Sequence, residues 1–407
     1  MRRTLFPIPI FLFLLIIPDH FLQAQNTPQE KALRDKAEKL ARQVLLIDTH
    51  IDVPYRLKEK WEDISQRTQG GNFDYERAKL GGLKVPFFSI YVSSATEFVN
   101  ANPLADSLID LVENVAKLWP DKFALAHSTS DVLKLTKQGL IALCLGMENG
   151  APINHDLSTL THFYKRGIRY ITLTHGKDNH ISDSSYDSTR TWHGLSFFGR
   201  HVVTEMNRLG IMVDISHLSD DAFYEVMRIT KAPVIASHSS CRVFTPGFER
   251  NLSDEMIRLI AQNGGAVMVN FGSSFLNGEY QKKESEIWNY LDAHKLQSGD
   301  PEAQRFIQEF TKRNPLPKVT VADAANHIDH IISLVGDDYV GFGSDFDGVG
   351  DTLPDGLKDV SQYTNLMYEL LKKGYSDARI KKICGENLMR VWKEVELRSS
   401  TLQHQSP

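Results

Sequence analysis

The sequence predicts a (β/α)8 barrel, and three observations point to it. Eight short apolar runs recur along the 407 residues, mostly separated by stretches with the periodicity of amphipathic helices. The runs are apolar throughout instead of alternating, as expected of parallel strands covered on both faces. Eight such strands in a chain of this length suit a closed barrel. A doubly wound open sheet is the competing architecture, but no G-x-G-x-x-G turn supports it.

The elements follow in order. TPQEKALRDKAEKLARQ (27–43) reads as a first helix. The first two strands are VLLIDTHID (44–52) and VPFFSIYV (85–92). The helical stretch LADSLIDLVENVAKLW (104–119) leads to the strands IALCLGME (141–148) and IRYITLTH (168–175). Helix FGRHVVTEMNRLG (198–210) precedes strand IMVDISH (211–217), and helix DAFYEVMRIT (221–230) precedes PVIASH (233–238). SDEMIRLIAQNGG (253–265) leads to strand AVMVNF (266–271), and VADAANHIDHIISLVG (321–336) to YVGFGSD (339–345). Residues 272–315 form a long polar insertion, read equally as a helical lid, a partner surface or an inert loop. One catalytic barrel domain over 25–400 is therefore expected, with a polar tail at 401–407.

The N-terminus is a separate object. A basic start is followed by the apolar run LFPIPIFLFLLII (5–17) and a small residue at Ala24. This reads as a secretory signal peptide over 1–24, so an exported protein is expected, periplasmic or extracellular if bacterial. The apolar run is short for a membrane span, and no integral span is expected after cleavage. Three cysteines are too few for a disulfide scaffold. A formal charge of −5 without a long basic run excludes nucleic acid as the expected partner.

The polar residues that end the apolar runs carry the chemistry. His50, Glu148, His175, His217, His238 and Asp345 each sit at or near the last position of a run. In an extended strand residues i and i+2 share a face, which puts His50 and Asp52 side by side. The strands of a parallel barrel share one C-terminal rim, so these side chains meet around one mouth. Several ionisable groups gathered there need compensation, and a metal cluster supplies it. Imidazole and carboxylate without thiolate suit zinc, with manganese, cobalt or iron open as alternatives. The donors divide into two sets: His50, Asp52 and one oxygen of Glu148, and His217, His238 and the other oxygen of Glu148. Each set leaves a position for a shared water or hydroxide. Asp347 shares strand parity with Asp345, and spacing alone does not choose between them. His327 and His330, one helical turn apart, read as a wet helix face.

The motifs DTHID, GMENG, RYITLTH, GRHVVTEMNRLGIMVDISH, APVIASHSS, MVNF and VGFGSDFDGV also carry a resemblance. Together they are similar to the membrane (renal) dipeptidase family of metallopeptidases, from about residue 44 to ENLMRVW at 386–392. The resemblance implies an amidohydrolase-like (β/α)8 barrel with two zinc ions. His50 and Asp52 would hold one, His217 and His238 the other, and Glu148 with a hydroxide would bridge them. It implies dipeptide substrates, including ones with a C-terminal D-residue, and a homodimer. His175 matches a substrate-contacting histidine suited to an oxyanion, and Asp345 matches the catalytic acid/base. Arg250 aligns with an arginine that holds the substrate carboxylate. Without the resemblance Arg250 reads as a surface charge. The loop CRVFTPGFERN departs from animal relatives, which leaves that alignment open by one residue. The bridging cysteines and the lipid anchor of the animal enzymes are not expected here. Two alternatives complete the reading: a cyclic-amide or ester hydrolase on the same barrel, and a non-catalytic secreted binding protein. The first commonly bridges its metals with a lysine where this chain has Glu148, and the second predicts missing ligands.

Overall fold

The computed structural model describes residues 27–96 and 99–405. The expected signal peptide at 1–24 and the end of the expected tail lie outside the described residues. Nine strands form among them: β1 (Leu46–Ile51), β2 (Leu83–Tyr91), β3 (Phe123–Leu125), β4 (Ile141–Glu148), β5 (Ile168–Thr172), β6 (Met212–Asp214), β7 (Ile235–Ala236), β8 (Ala266–Val269) and β9 (Val340–Phe342). Eight of them pair in parallel in the order β1-β2-β4-β5-β6-β7-β8-β9. These are the eight runs read from the sequence. The ninth, β3, pairs with β4 outside that path. Three residues are too few to show a period, so the sequence held no signal for it.

The barrel closes between β1 and the segment after β9. The Asp345 amide donates to the His50 carbonyl at 3.0 Å, and the Asp52 amide donates to the Phe346 carbonyl at 2.9 Å. Asp48 pins this seam. Its Oδ1 accepts from the amides of His50 and Ser344, each at 3.0 Å, and its Oδ2 accepts from the Tyr363 hydroxyl. Asp48 is therefore a structural residue, although it lies in the same DTHID motif as His50 and Asp52.

Inside the barrel Ile47, Val85, Phe87, Cys144, Tyr170, Met212, Ile235 and Met268 form one apolar cluster. Leu388, Val391, Trp392 and Val395 join that cluster from the last helix. Trp392 packs edge-on against Phe87 at 5.5 Å, so this helix plugs the end of the barrel away from the polar rim. The same helix runs over Asn387–Gln405, into the segment read as a polar tail. The helices Phe197–Leu209, Asp220–Ile229 and Asp254–Gln262 each start at a serine, Ser196, Ser219 and Ser253. Each serine side chain accepts from a backbone amide in the first turn, which satisfies an otherwise orphan donor. All three cysteines are buried and free. No helix among the described residues is long and apolar enough to cross a membrane.

The insertion is folded. Helices Gly278–His294 and Pro301–Arg313 pair through Ile287, Leu291 and Ala303, and Tyr290 stacks on Phe306 at 3.5 Å.

His327 corrects the reading of a wet helix face. It is buried, its Nδ1 accepts from the Cys241 amide at 3.0 Å, and its Nε2 therefore donates to the Leu276 carbonyl at 3.1 Å. His330 is part-buried and pairs with Asp254 at 2.8 Å. Burial lowers the His327 pKa to about 4, against the opposing pull of the Leu276 carbonyl. Between the unfolded value near 6.5 and about 4, the unfolded chain binds a proton that the folded chain refuses. Stability is thus lost as pH falls through that window, by about 2 kcal/mol from pH 7 to pH 5. Urea denaturation of the chelated protein at the two pH values should show this loss, and His327→Gln should flatten it. Equal pH dependence in the two proteins would contradict the assignment.

Candidate metal centre

The rim of the barrel is built from side chains that each leave a strand end. In β1 the pairing register shifts between Asp48 and Ile51. Ile47 belongs to the inner cluster and Ile51 to the outer core, although equal parity would place them on one face. The shift turns His50 into the barrel mouth. There its ring stacks on His238 with centroids 3.8 Å apart. Asp52 begins the next helix but makes no side-chain cap bond, which leaves its carboxylate to the mouth.

Glu148, the last residue of β4, stands at the centre. Its Oε2 lies 3.3 Å from His50 Nε2 and accepts from Ser89 Oγ at 3.2 Å. Its Oε1 lies 3.2 Å from His217 Nε2, 3.3 Å from His238 Nε2 and 3.5 Å from His175 Nε2. The two oxygens of one carboxylate thus face different histidine sets. The Nε2 atoms of His217 and His238 are only 2.9 Å apart.

The hydrogen bonds behind the rings set their tautomers. The Tyr170 hydroxyl donates to the Thr49 carbonyl at 2.9 Å, so it accepts from His50 Nδ1 at 2.8 Å. The Ser237 hydroxyl donates to Asp214 at 2.6 Å, so it accepts from His238 Nδ1 at 2.7 Å. Both rings therefore carry a proton on Nδ1 and turn Nε2 toward the mouth. His50 Nε2 and Asp52 Oδ1 are buried with no hydrogen-bond partner. Imidazole nitrogens and carboxylate oxygens gathered within 4.8 Å of one another are a donor set that a divalent cation completes. Tyr170 reaches His50 because Gly146 leaves room: a Cβ there would come within 1.9 Å of its ring.

The electrostatics agree. Burial opposes protonation of His50, yet the carboxylates of Glu148, Asp52 and Asp345 raise its pKa to about 10. The mouth is a sink for positive charge. Burial raises Asp52 well above the carboxylate range; His50 opposes this, and Glu148 and Asp345 reinforce it. Burial and then the Arg250 charge hold His217 well below the ordinary value. His238 is also held well below it, by burial and then by His50 and Arg250. Both are neutral imidazoles, the form that binds metal.

Asp345 joins His50 and Asp52, with carboxylate and imidazole atoms all within 4.8 Å. Its backbone is left-handed (φ 63°), as is that of His217 (φ 69°). Such conformations cost of order 1 kcal/mol or more and collect at functional sites. Asn270 Nδ2 donates to Asp345 Oδ2 at 2.8 Å, which holds that carboxylate in place. Gly348 gives both acids their room: a Cβ there would lie 2.3 Å from Asp345 Oδ1 and 2.4 Å from Asp52 Oδ2. Asp347 is elsewhere. It accepts from Arg56 Nε at 3.1 Å and the Asn72 amide at 2.6 Å. Of the two acids that parity left open, Asp345 is the one that stands at the mouth.

Arg250 is buried, against its bare reading as a surface charge. Its Nη1 donates to Ser239 Oγ at 2.6 Å and its Nη2 to the His238 carbonyl at 2.9 Å, while Nε has no partner. His175 is part-exposed, with its ring 4.3 Å from that of His217 and 5.0 Å from that of Tyr91. The structure thus brings His50, Asp52, Glu148, His175, His217, His238 and Asp345 to one mouth, with Arg250 behind His238. Sequence reasoning missed Asn270, Tyr170, Ser237 and Asp214. Asn270 had a signal, as a polar residue ending the apolar run AVMVNF; the other three are polar residues inside apolar strands.

Known proteins resemble this chain over most of its length. The model of the membrane dipeptidase family, peptidase family M19, matches residues 34–406. Dipeptidase tcpJ of Claviceps purpurea is 33% identical over 334 residues, 80% of this chain and 70% of the relative. An uncharacterized dipeptidase of Schizosaccharomyces pombe is 31% identical over 397 residues, 91% of this chain and 85% of the relative. Among solved structures, the probable dipeptidase PvdM of Pseudomonas aeruginosa superposes with a TM-score of 0.77 at 27% identity, covering 90% of this chain and 99% of its own. A metallopeptidase of Rhodobacter sphaeroides, liganded with a phosphinate mimic of the dipeptide L-Ala-D-Ala, superposes with a TM-score of 0.72 at 26% identity, covering 86% and 99%.

Proposed function

The chain belongs to the membrane dipeptidase family, peptidase family M19, and on that premise we propose that it cleaves dipeptides with two zinc ions held at the barrel mouth. It is a metallo-dipeptidase, a hydrolase of peptide bonds. The observation that carries the two-ion reading is the placement of Glu148, one oxygen toward His50 and the other toward His217 and His238. His50, Asp52 and Glu148 would hold one ion, and Glu148, His217 and His238 the other. When bound, such a pair polarises a carbonyl and makes water acidic enough to supply hydroxide near neutral pH.

The remaining work falls to the chain's own groups. Arg250 takes the substrate's C-terminal carboxylate, to which a planar guanidinium offers paired donors. Burial lowers the pKa of His175, against the pull of Glu148. Its neutral ring donates to the carbonyl oxygen as negative charge develops there. Asp345 Oδ2 is held by Asn270, which leaves Oδ1 to accept the proton of the attacking water and pass it to the departing amine. The Glu148 bridge supports this reading over a cyclic-amide or ester hydrolase, and the full donor set supports it over a non-catalytic binding protein. The signal-like N-terminus supports export, and the family resemblance supports a homodimer.

The test is elemental analysis of unchelated protein, followed by turnover of L,L, L,D and glycine-containing dipeptides with and without chelator. Two equivalents of zinc and chelator-sensitive cleavage are expected. Metal-free protein that still cleaves dipeptides, or metal-loaded protein that cleaves none, would overturn the proposal.

A further inference from the structure

Asp214 is the last residue of β6 and is fully buried, and the reaction as read above makes no use of it. Four neutral groups donate to its carboxylate. The amides of Ser216 and Ser237 reach Oδ1 at 3.0 Å and 2.8 Å, and the hydroxyls of Thr172 and Ser237 reach Oδ2. Through one of those hydroxyls Asp214 reaches His238. A carboxylate only accepts. The Ser237 hydroxyl gives its one hydrogen to Asp214 at 2.6 Å and keeps a lone pair for His238 Nδ1 at 2.7 Å. The hydrogen bonds therefore run one way, imidazole to serine to carboxylate, and their direction is fixed at the Asp214 end.

A neutral imidazole with its proton on Nδ1 has Nε2 free to ligate. We propose that Asp214 is a positioning residue that fixes the His238 tautomer through Ser237 and so decides whether the second metal position fills. This rests on the reading above that His238 is a metal ligand. His50 has no acid behind it: its Nδ1 meets the Tyr170 hydroxyl, which donates to the Thr49 carbonyl. The device thus serves one of the two positions.

Asp214→Asn keeps the shape and reverses the relay. The two amides hold the asparagine oxygen at the Oδ1 position, so its NH2 faces the Ser237 hydroxyl. That hydroxyl then accepts from the amide and donates to His238 Nδ1. The imidazole proton moves to Nε2, which lies 3.3 Å from Glu148 Oε1. Zinc titration of the metal-free full chain against a competing chelator should show one of two equivalents weakened by about tenfold to a hundredfold. The other should stay near its wild-type affinity. Nitrogen NMR of the metal-free, histidine-labelled chain should show His238 protonated on Nδ1 in wild type and on Nε2 in the variant. Ser237→Ala removes the relay itself. It should weaken the same equivalent, and Asp214→Asn should add nothing further in that background. A purely structural role for Asp214 would leave the tautomer unchanged and persist without Ser237. An unchanged His238 tautomer in Asp214→Asn, wild-type affinity for both equivalents in Ser237→Ala, or independent losses in the double variant overturns this proposal alone. Wild type that binds no zinc overturns the parent reading and this one with it.

Discussion

Glu148→Gln is expected to lose metal and to lower dipeptide turnover by about a thousandfold, because several kcal/mol of charge stabilisation go with the ions. The reason lies in what the carboxylate faces. Its two oxygens lie 3.3 Å from His50 on one side and 3.2 Å and 3.3 Å from His217 and His238 on the other. An amide keeps the shape but removes the charge, and it turns an NH2 donor toward one of the two sets. The imidazole lone pairs on that side would then meet a donor where a cation belongs. Elemental analysis should fall from two metals per chain toward one or none, with kcat/KM falling in parallel and circular dichroism unchanged. Stoichiometric metal with near-native turnover would refute Glu148 as the shared ligand.

The second large effect concerns Arg250. Arg250→Met should lower kcat/KM for a free dipeptide by about a hundredfold to ten-thousandfold, the worth of two charge-assisted hydrogen bonds at roughly 1.5–3 kcal/mol each. Arg250→Lys should not restore it, since an ammonium cannot reproduce the planar fork. The variant also loses the bonds that Arg250 gives to Ser239 and to the His238 carbonyl, so rate alone does not isolate the carboxylate. Comparing Ala-Ala with its C-terminal amide does. Wild type should discriminate strongly against the amide, and the methionine variant should treat the two nearly alike. Discrimination that persists without Arg250 would remove it from substrate recognition.

Much of this protein is legible along the chain. The eight barrel strands are local apolar runs, and each announces itself within a few residues. His50, Glu148, His217 and His238 could be named because a polar group at the end of an apolar strand is costly unless something binds it. The insertion was visible only as a break in that rhythm. Its helical pairing depends on a small cluster around Leu291 and on the Tyr290–Phe306 stack. His327 went unread because its burial comes from Cys241 and Leu276, 86 and 51 residues away.

From the sequence by itself came the barrel, the polar side chains that gather at its mouth and the family, since strand periodicity and polar strand ends are properties of neighbouring residues. Tertiary structure decided what strand parity could not, which of the two acids stands at the mouth: Asp347 is claimed by Arg56, 291 residues distant, while Asp345 is held at the mouth by Asn270, 75 residues distant. It also decided that His50 turns inward, through a register shift in β1, and that Tyr170, 120 residues on, sets its tautomer. A side chain's partner depends on what the closed barrel brings within hydrogen-bonding reach, and no local pattern encodes a distance that exists only after the chain has folded.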